Sequence, residues 1–110
     1  KRLTFAQAAT GASGIETLLP LALELYHNGS VKLNKLIKTL TCNPAKILKI
    51  NKGNLSIGND ADFCIIDIDK PWVVKKENLM SKSKNTPIDD RKLQGKVLST
   101  FVKGEELFKV

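Results

Sequence analysis

Asp60, Asp62, Asp67 and Asp69 form the densest group of hard metal ligands in this chain. Carboxylates so placed could hold a cation. Their spacing lacks the glycine position and the downstream Glu of a calcium loop, so they read as turn and strand-end carboxylates. His27 is the only histidine and follows Tyr26 at a helix end, where a solvated or capping role is expected. Cys42 and Cys64 lie in apolar contexts without CxxC spacing. They read as buried free thiols of a reducing compartment, which points to a cytoplasmic protein. Four-ligand zinc coordination from these residues alone is not expected. No His-x-His, HExxH or GxSxG is present, so neither a zinc hydrolase site nor a serine nucleophile can be built from local sequence.

Thr10-Gly11-Ala12-Ser13-Gly14 precedes an apolar helix. Backbone amides at such a helix start can hold an anion. The same glycines also suit a flexible connection that permits tight approach. The spacing is not the dinucleotide fingerprint, and the two readings stand side by side. Asp89, Asp90 and Arg91 read as a solvated turn whose ion pairs contribute little.

The elements that would position these groups change character near Asn51 to Gly53. Before that point the period is helical. Leu18, Leu19, Leu21, Ala22, Leu23 and Leu25 predict an almost wholly apolar helix beginning near Glu16 or Thr17, which wants burial on most faces. Pro20 then falls in the first turn, where a missing N–H costs no helical bond, and Asn28-Gly29 stops the helix. Leu33, Leu36, Ile37 and Leu40 mark a second helix, with Lys32, Lys35 and Lys38 facing water. Asn43-Pro44 is expected to cap and start a short third helix. Beyond Gly53 the signals are those of strands. Leu55 and Ile57 alternate, and Gly58-Asn59-Asp60 makes a turn. Phe63 to Ile66 reads as a central strand buried on both faces, and Trp72-Val73-Val74 as a short strand. Met80 to Arg91 is a polar loop. Val97 to Val102, Lys103-Gly104 and Glu105 to Val110 predict a β-hairpin.

The chain has 110 residues, enough for one modest domain, and a net charge of +7. Its lysines are dispersed and not interleaved with stacking aromatics, which argues for a solvated face over a nucleic-acid surface. No run has transmembrane length. Lys1 stands first and Met80 is the only methionine, so a fragment is expected. A helix too apolar for a two-layer surface, and strands with too few partners, agree with that expectation.

Asn43-Pro44-Ala45, Ile47-Leu48, Gly53, Gly58, Ala61-Asp62 and the apolar strand ending in Asp67 together resemble the C-terminal signature of the amidohydrolase superfamily. Gly11-Ala12-Ser13-Gly14-Ile15-Glu16-Thr17 resembles the G-x-x-G-[LI]-E-T segment of bacterial class I-like dihydroorotases. Ser81-Lys82-Ser83-Lys84-Asn85-Thr86-Pro87 resembles their S-K-S-x-N-T-P-F loop, with Ile88 in place of the Phe. The resemblance implies a C-terminal fragment of an α/β parent, a (β/α)8 barrel plus a β-sandwich. Residues 1–50 would be the end of the barrel and 51–110 the C-terminal part of the sandwich. It implies zinc-dependent, reversible cyclisation of N-carbamoyl-L-aspartate to L-dihydroorotate in pyrimidine biosynthesis. The metal ligands and the proton-carrying aspartate would lie before Lys1, leaving no catalytic or metal residue here. The substrate-binding positions carried over are Ala9, Thr10 and Gly11, through their backbone. Ala9 stands where family members often have Pro, and Thr10 where they often have Gly or Phe, so the loop is expected to be less rigid. Implied partners are the small-molecule substrate, the rest of the dihydroorotase chain, further copies of the same protein and aspartate transcarbamoylase, with no nucleic acid and no membrane. Three alternatives remain: a hydantoinase- or allantoinase-like cyclic amidohydrolase, a dihydroorotase-like partner of aspartate transcarbamoylase without the metal site, and a basic binding module.

Overall fold

The computed structural model describes residues 3–110. Three helices lead into a three-stranded antiparallel sheet of order β1-β2-β3. A 3-10 turn over Ile15–Thr17 runs directly into α1, Leu18–His27. Pro20 sits in its first turn as expected, and the amides of Asn28 and Gly29 close its last turn on the Glu24 and Tyr26 carbonyls. α1 buries Leu23 completely but leaves Leu18 and Leu25 exposed, so the described residues cover only one of its faces. α2, Leu33–Leu40, buries Leu36 and turns Lys35 and Lys38 to solvent, as its stripe predicts.

α3, Cys42–Ile47, starts earlier than its Asn-Pro signal implies. Its N-cap is Thr41, whose φ of −126° and ψ of −87° break away from α2 and whose carbonyl accepts the Ala45 amide. Asn43 therefore lies inside the helix and makes no cap. Pro44 still falls in the first turn, where its missing N–H is harmless. The Thr41 hydroxyl donates back to the Ile37 carbonyl at 2.7 Å, so it too leaves the new helix uncapped by a side chain.

Leu55 and Ile57 do not form a strand; both are exposed in an irregular return. Side chains rather than a ladder hold that return. The Asn51 amide donates to Asn59, and the Lys52 ammonium bridges Asp60 at 2.7 Å and Asp62 at 2.5 Å. Asp62 also accepts the Lys103 amide at the hairpin turn, tying the return to the sheet.

β1 runs Phe63–Val73, β2 Lys92–Val102 and β3 Glu105–Lys109. The β2–β3 hairpin closes on Lys103 and Gly104, both with positive φ, the signature of a type I′ turn. Two strand expectations need correcting. Phe63 to Ile66 is not a central strand buried on both faces. Among the described residues β1 bonds only to β2, which puts it at the edge of the described sheet, and Phe63 and Ile65 are 37 % and 48 % exposed. Trp72-Val73 is not a separate strand either, but the continuation of β1 past a bulge between Asp67 and Pro71. The free thiol of Cys64 shares the exposure of this edge, and Cys42 is half-buried; neither is the fully buried thiol expected.

The core gathers where the loops meet the sheet. Val74, Leu79 and Leu93 are buried together, with Leu21, Trp72 and Ile88 against them. Ile88 thus has a packing role. The indole N–H of Trp72 donates to the Gly95 carbonyl at 2.9 Å, which satisfies its polar edge inside this cluster. The Asp89–Arg91 turn is more engaged than a solvated turn. Val74 and Arg91 share a backbone bond, Asp89 accepts the Lys76 amide, Asp90 pairs with Lys75, and Arg91 forks onto the Glu24 carboxylate of α1.

These pairs set an expected pH dependence. Hydrogen bonds from the Lys52 ammonium and then the Lys103 amide hold the Asp62 carboxyl below the usual range, and the Lys76 amide does so for Asp89. The unfolded chain therefore binds protons at these groups more readily than the folded one. Their stabilisation is complete above the ordinary carboxylate pKa of about 4 and is lost as pH falls through the lowered values. Lys52, raised chiefly by its bonds to Asp60 and Asp62, contributes until pH rises past the usual lysine range. Urea midpoints should hold steady near neutrality and fall below about pH 4, with a shallower acid fall for Asp62→Asn. An unchanged acid slope in that variant would remove Asp62 from the account.

Candidate functional site

The two stretches that carry the narrower family resemblance, residues 11–17 and 81–87, lie against each other. The Ser13 amide donates to the Asn85 carbonyl at 2.8 Å. The Asn85 side-chain amide donates in return to the Gly11 carbonyl at 2.9 Å and the Thr10 carbonyl at 3.4 Å. The Ser13 hydroxyl donates to the Ser83 carbonyl at 2.8 Å, which leaves the Ser81 hydroxyl, 3.2 Å away, to donate to Ser13. Glu16, at the entry to α1, accepts the Met80 amide on both carboxylate oxygens and the Ser81 amide at 3.3 Å. A cleft of about 180 Å³ lies here, bounded by Ser13, Gly14, Glu16, Thr17, Leu79 and Ser81.

Local sequence makes this clasp feasible. Gly11 takes a φ of +67°, in the left-handed region that favours glycine. The Thr17 amide and hydroxyl both return to the Gly14 carbonyl, and Thr17 is buried. On the other side Leu79 and Ile88 anchor both ends of the 80–87 strap in the core. The structure thus gives the Thr10–Gly14 segment a defined fold where sequence left a flexible connection and an anion cradle side by side. Ala9, Thr10 and Gly11 lie exposed beside the clasp.

The remaining groups singled out from sequence do not converge on this place. His27 ends α1 with Nε2 3.4 Å from an Asp69 carboxylate oxygen, and its ring tilts against Tyr26. Asp60 and Asp62 are occupied by Lys52. Asp67 accepts the Asp69 and Lys70 amides within the β1 bulge. Among the described residues no three His, Cys, Asp or Glu side chains come together to hold a metal ion. The donors present therefore do not fit a zinc site. No described helix is long and apolar enough to cross a membrane.

Sequence reasoning did not single out Asn85, Ser13 and Glu16 as a contact set. Each lay in a quoted motif, but local patterning says nothing about partners 64 to 75 positions away.

Comparison with known proteins places both motifs within one family match. Residues 4–107 match the amidohydrolase family. The chain belongs to that family. The dihydroorotase of Ehrlichia chaffeensis is 47 % identical over 109 residues, covering 99 % of this chain and 24 % of the relative. That of Aquifex aeolicus is 43 % identical over 102 residues, covering 93 % and 24 %. An L-hydantoinase (dihydropyrimidinase) from Arthrobacter aurescens superposes with a TM-score of 0.86 at 33 % identity, over 93 % of this chain and 23 % of that one. A D-hydantoinase (dihydropyrimidinase) from Thermus sp., at 19 % identity and a TM-score of 0.80 over 96 % and 24 %, shares the fold. The chain spans about a quarter of the length of the curated relatives it matches. The Asn43–Asp67 signature of this amidohydrolase chain contains no clustered donor set; it is the join between α3 and β1.

Proposed function

We propose that this chain is the C-terminal portion of a zinc-dependent dihydroorotase that interconverts N-carbamoyl-L-aspartate and L-dihydroorotate in pyrimidine biosynthesis. Residues 1–50 end its (β/α)8 barrel and residues 51–110 contribute to its β-sandwich. The observation that carries the reading is the clasp. The two segments whose sequences resemble dihydroorotase motifs bond directly to each other beside Ala9, Thr10 and Gly11. The identity to dihydroorotases along nearly the whole chain supports it. In this reading the Ala9–Gly11 backbone contacts the substrate or its carboxylate, and the zinc ligands and proton carrier lie upstream. The exposed edge of β1 and the uncovered face of α1 then receive the rest of the chain. In this reading the parent is a cytoplasmic homo-oligomer, with aspartate transcarbamoylase a candidate partner.

A hydantoinase-like activity is the second reading, favoured by the 33 % identity and close superposition of the Arthrobacter enzyme. Purified full-length protein, assayed with L-dihydroorotate, carbamoyl-L-aspartate, hydantoin and allantoin, decides between them. Turnover of dihydroorotate in preference to hydantoin by at least about a hundredfold in kcat/KM is expected. Preference for hydantoin would overturn the proposal, and inactivity on all four with no bound zinc would leave the non-catalytic partner. Residues 1–110 alone are expected to be inactive; turnover by that piece at parent-like rates would place the site within it.

A further inference from the structure

We propose that Asn85 is a positioning residue for the substrate loop. Its side chain, carried on the strap between the core residues Leu79 and Ile88, fixes the carbonyls of Thr10 and Gly11 and so sets the shape that Ala9–Gly11 presents. This rests on the reading of Ala9–Gly11 as the substrate-contacting backbone. The Ala9–Gly11 segment belongs to no helix or strand, so its shape depends on bonds from outside. Both partners of the Asn85 amide are carbonyl oxygens, which fixes its NH2 toward the loop. The residue is itself held. It is half-buried, and its own carbonyl accepts the Ser13 amide. The strap cannot slide along the loop without breaking the Glu16 bonds to Met80 and Ser81 or withdrawing Leu79 from the core. The sheet half of the chain thereby controls a loop that belongs to the helical half. Substrate affinity depends on how the halves dock as well as on groups that touch substrate.

The test uses full-length protein. Asn85→Asp keeps the size and shape of the side chain but sets a carboxylate against two carbonyls; Asn85→Ala removes the donors. Both should raise KM for L-dihydroorotate about tenfold while kcat stays within about threefold, the pattern of lost binding rather than lost chemistry. Asn85→Gln, which restores an NH2 on a longer arm, should recover part of the KM. Backbone hydrogen exchange should quicken at residues 9–14 in Asn85→Ala but not at residues 92–102 of β2. KM within twofold of the parent in both variants, or unchanged exchange at residues 9–14, would overturn the proposal. If the parent protein does not turn over dihydroorotate, the functional reading fails by itself. The KM comparison is then made with hydantoin, where the same shift supports the positioning role and its absence overturns it.

Discussion

Gly53→Ala is expected to lower stability by roughly 3 kcal/mol or more, because backbone occupies the space a side chain would need. Gly53 has a φ of +77°, and a Cβ there would lie 2.8 Å from the carbonyl carbon and oxygen of Thr41 and 2.9 Å from the Cys42 amide nitrogen. These atoms form the peptide that opens α3. They cannot rotate away as a side-chain tip can, and moving them disturbs the Thr41 carbonyl that accepts Ala45. Strain from the left-handed backbone alone is about 1–2 kcal/mol. Gly29 provides the matching control, with a φ of +78° and open space around its Cβ position. Urea unfolding should show Gly29→Ala losing only the strain and Gly53→Ala losing at least about 2 kcal/mol more. Equal losses would mean that the close approach to Thr41 has no energetic weight.

The same contact explains why part of this fold was legible in sequence and part was not. The first Gly of the Asn43–Asp67 signature was visible as a residue type. Its reason, a backbone-to-backbone approach, was not. Elements governed by neighbours were readable: the α2 stripe of Leu33, Leu36, Ile37 and Leu40, Pro20 in the first turn of α1, and the Lys103-Gly104 hairpin turn. The errors arose where a local signal met a tertiary one. Asn43-Pro44 is a good helix start, but the break at Thr41 sets the cap two residues earlier. The Phe63–Ile66 run records that a strand is suited to cover, and an apolar pattern does not say which segment supplies it. Within the described sheet β1 stands at the edge. The clasp was the least legible feature. Ser13, Glu16 and Asn85 are ordinary polar residues, and their roles exist only once the strap and the loop are side by side. The two motifs were recognisable one at a time through family resemblance, and the structure supplies the reason they occur together.

The second large effect is expected where α1 crosses the sheet. Gly95 of β2 has a φ of +106°, opposite the β1 bulge, and a Cβ there would fall 2.3 Å from Cδ1 of Leu23, a side chain with no exposure. Unlike the obstruction at Gly53, this one is a side-chain tip, but full burial denies Leu23 an easy retreat. Gly95→Ala should therefore cost roughly 2–4 kcal/mol, from backbone strain and displacement of α1 together. Leu23→Ala should cost about 2–5 kcal/mol through the cavity it leaves. The two losses should not add. With the leucine shortened, an alanine at position 95 meets no Cδ1 and fills part of the vacated space, so the double variant should lose about 1 kcal/mol or more less than the sum. The strain of φ +106° remains in either background, which is why recovery should be partial. Three unfolding curves against the parent measure the coupling. Additivity within about 0.5 kcal/mol would show that α1 does not seat on Gly95. Coupling of the expected sign would mean that the bulge is what lets α1 lie close to β2. Glu16 stands just ahead of α1, so that seat also sets where its carboxylate meets the Met80 and Ser81 amides. Gly95→Ala in the full-length protein should accordingly loosen the clasp, raising hydrogen exchange at residues 9–14 although the substitution lies in the sheet.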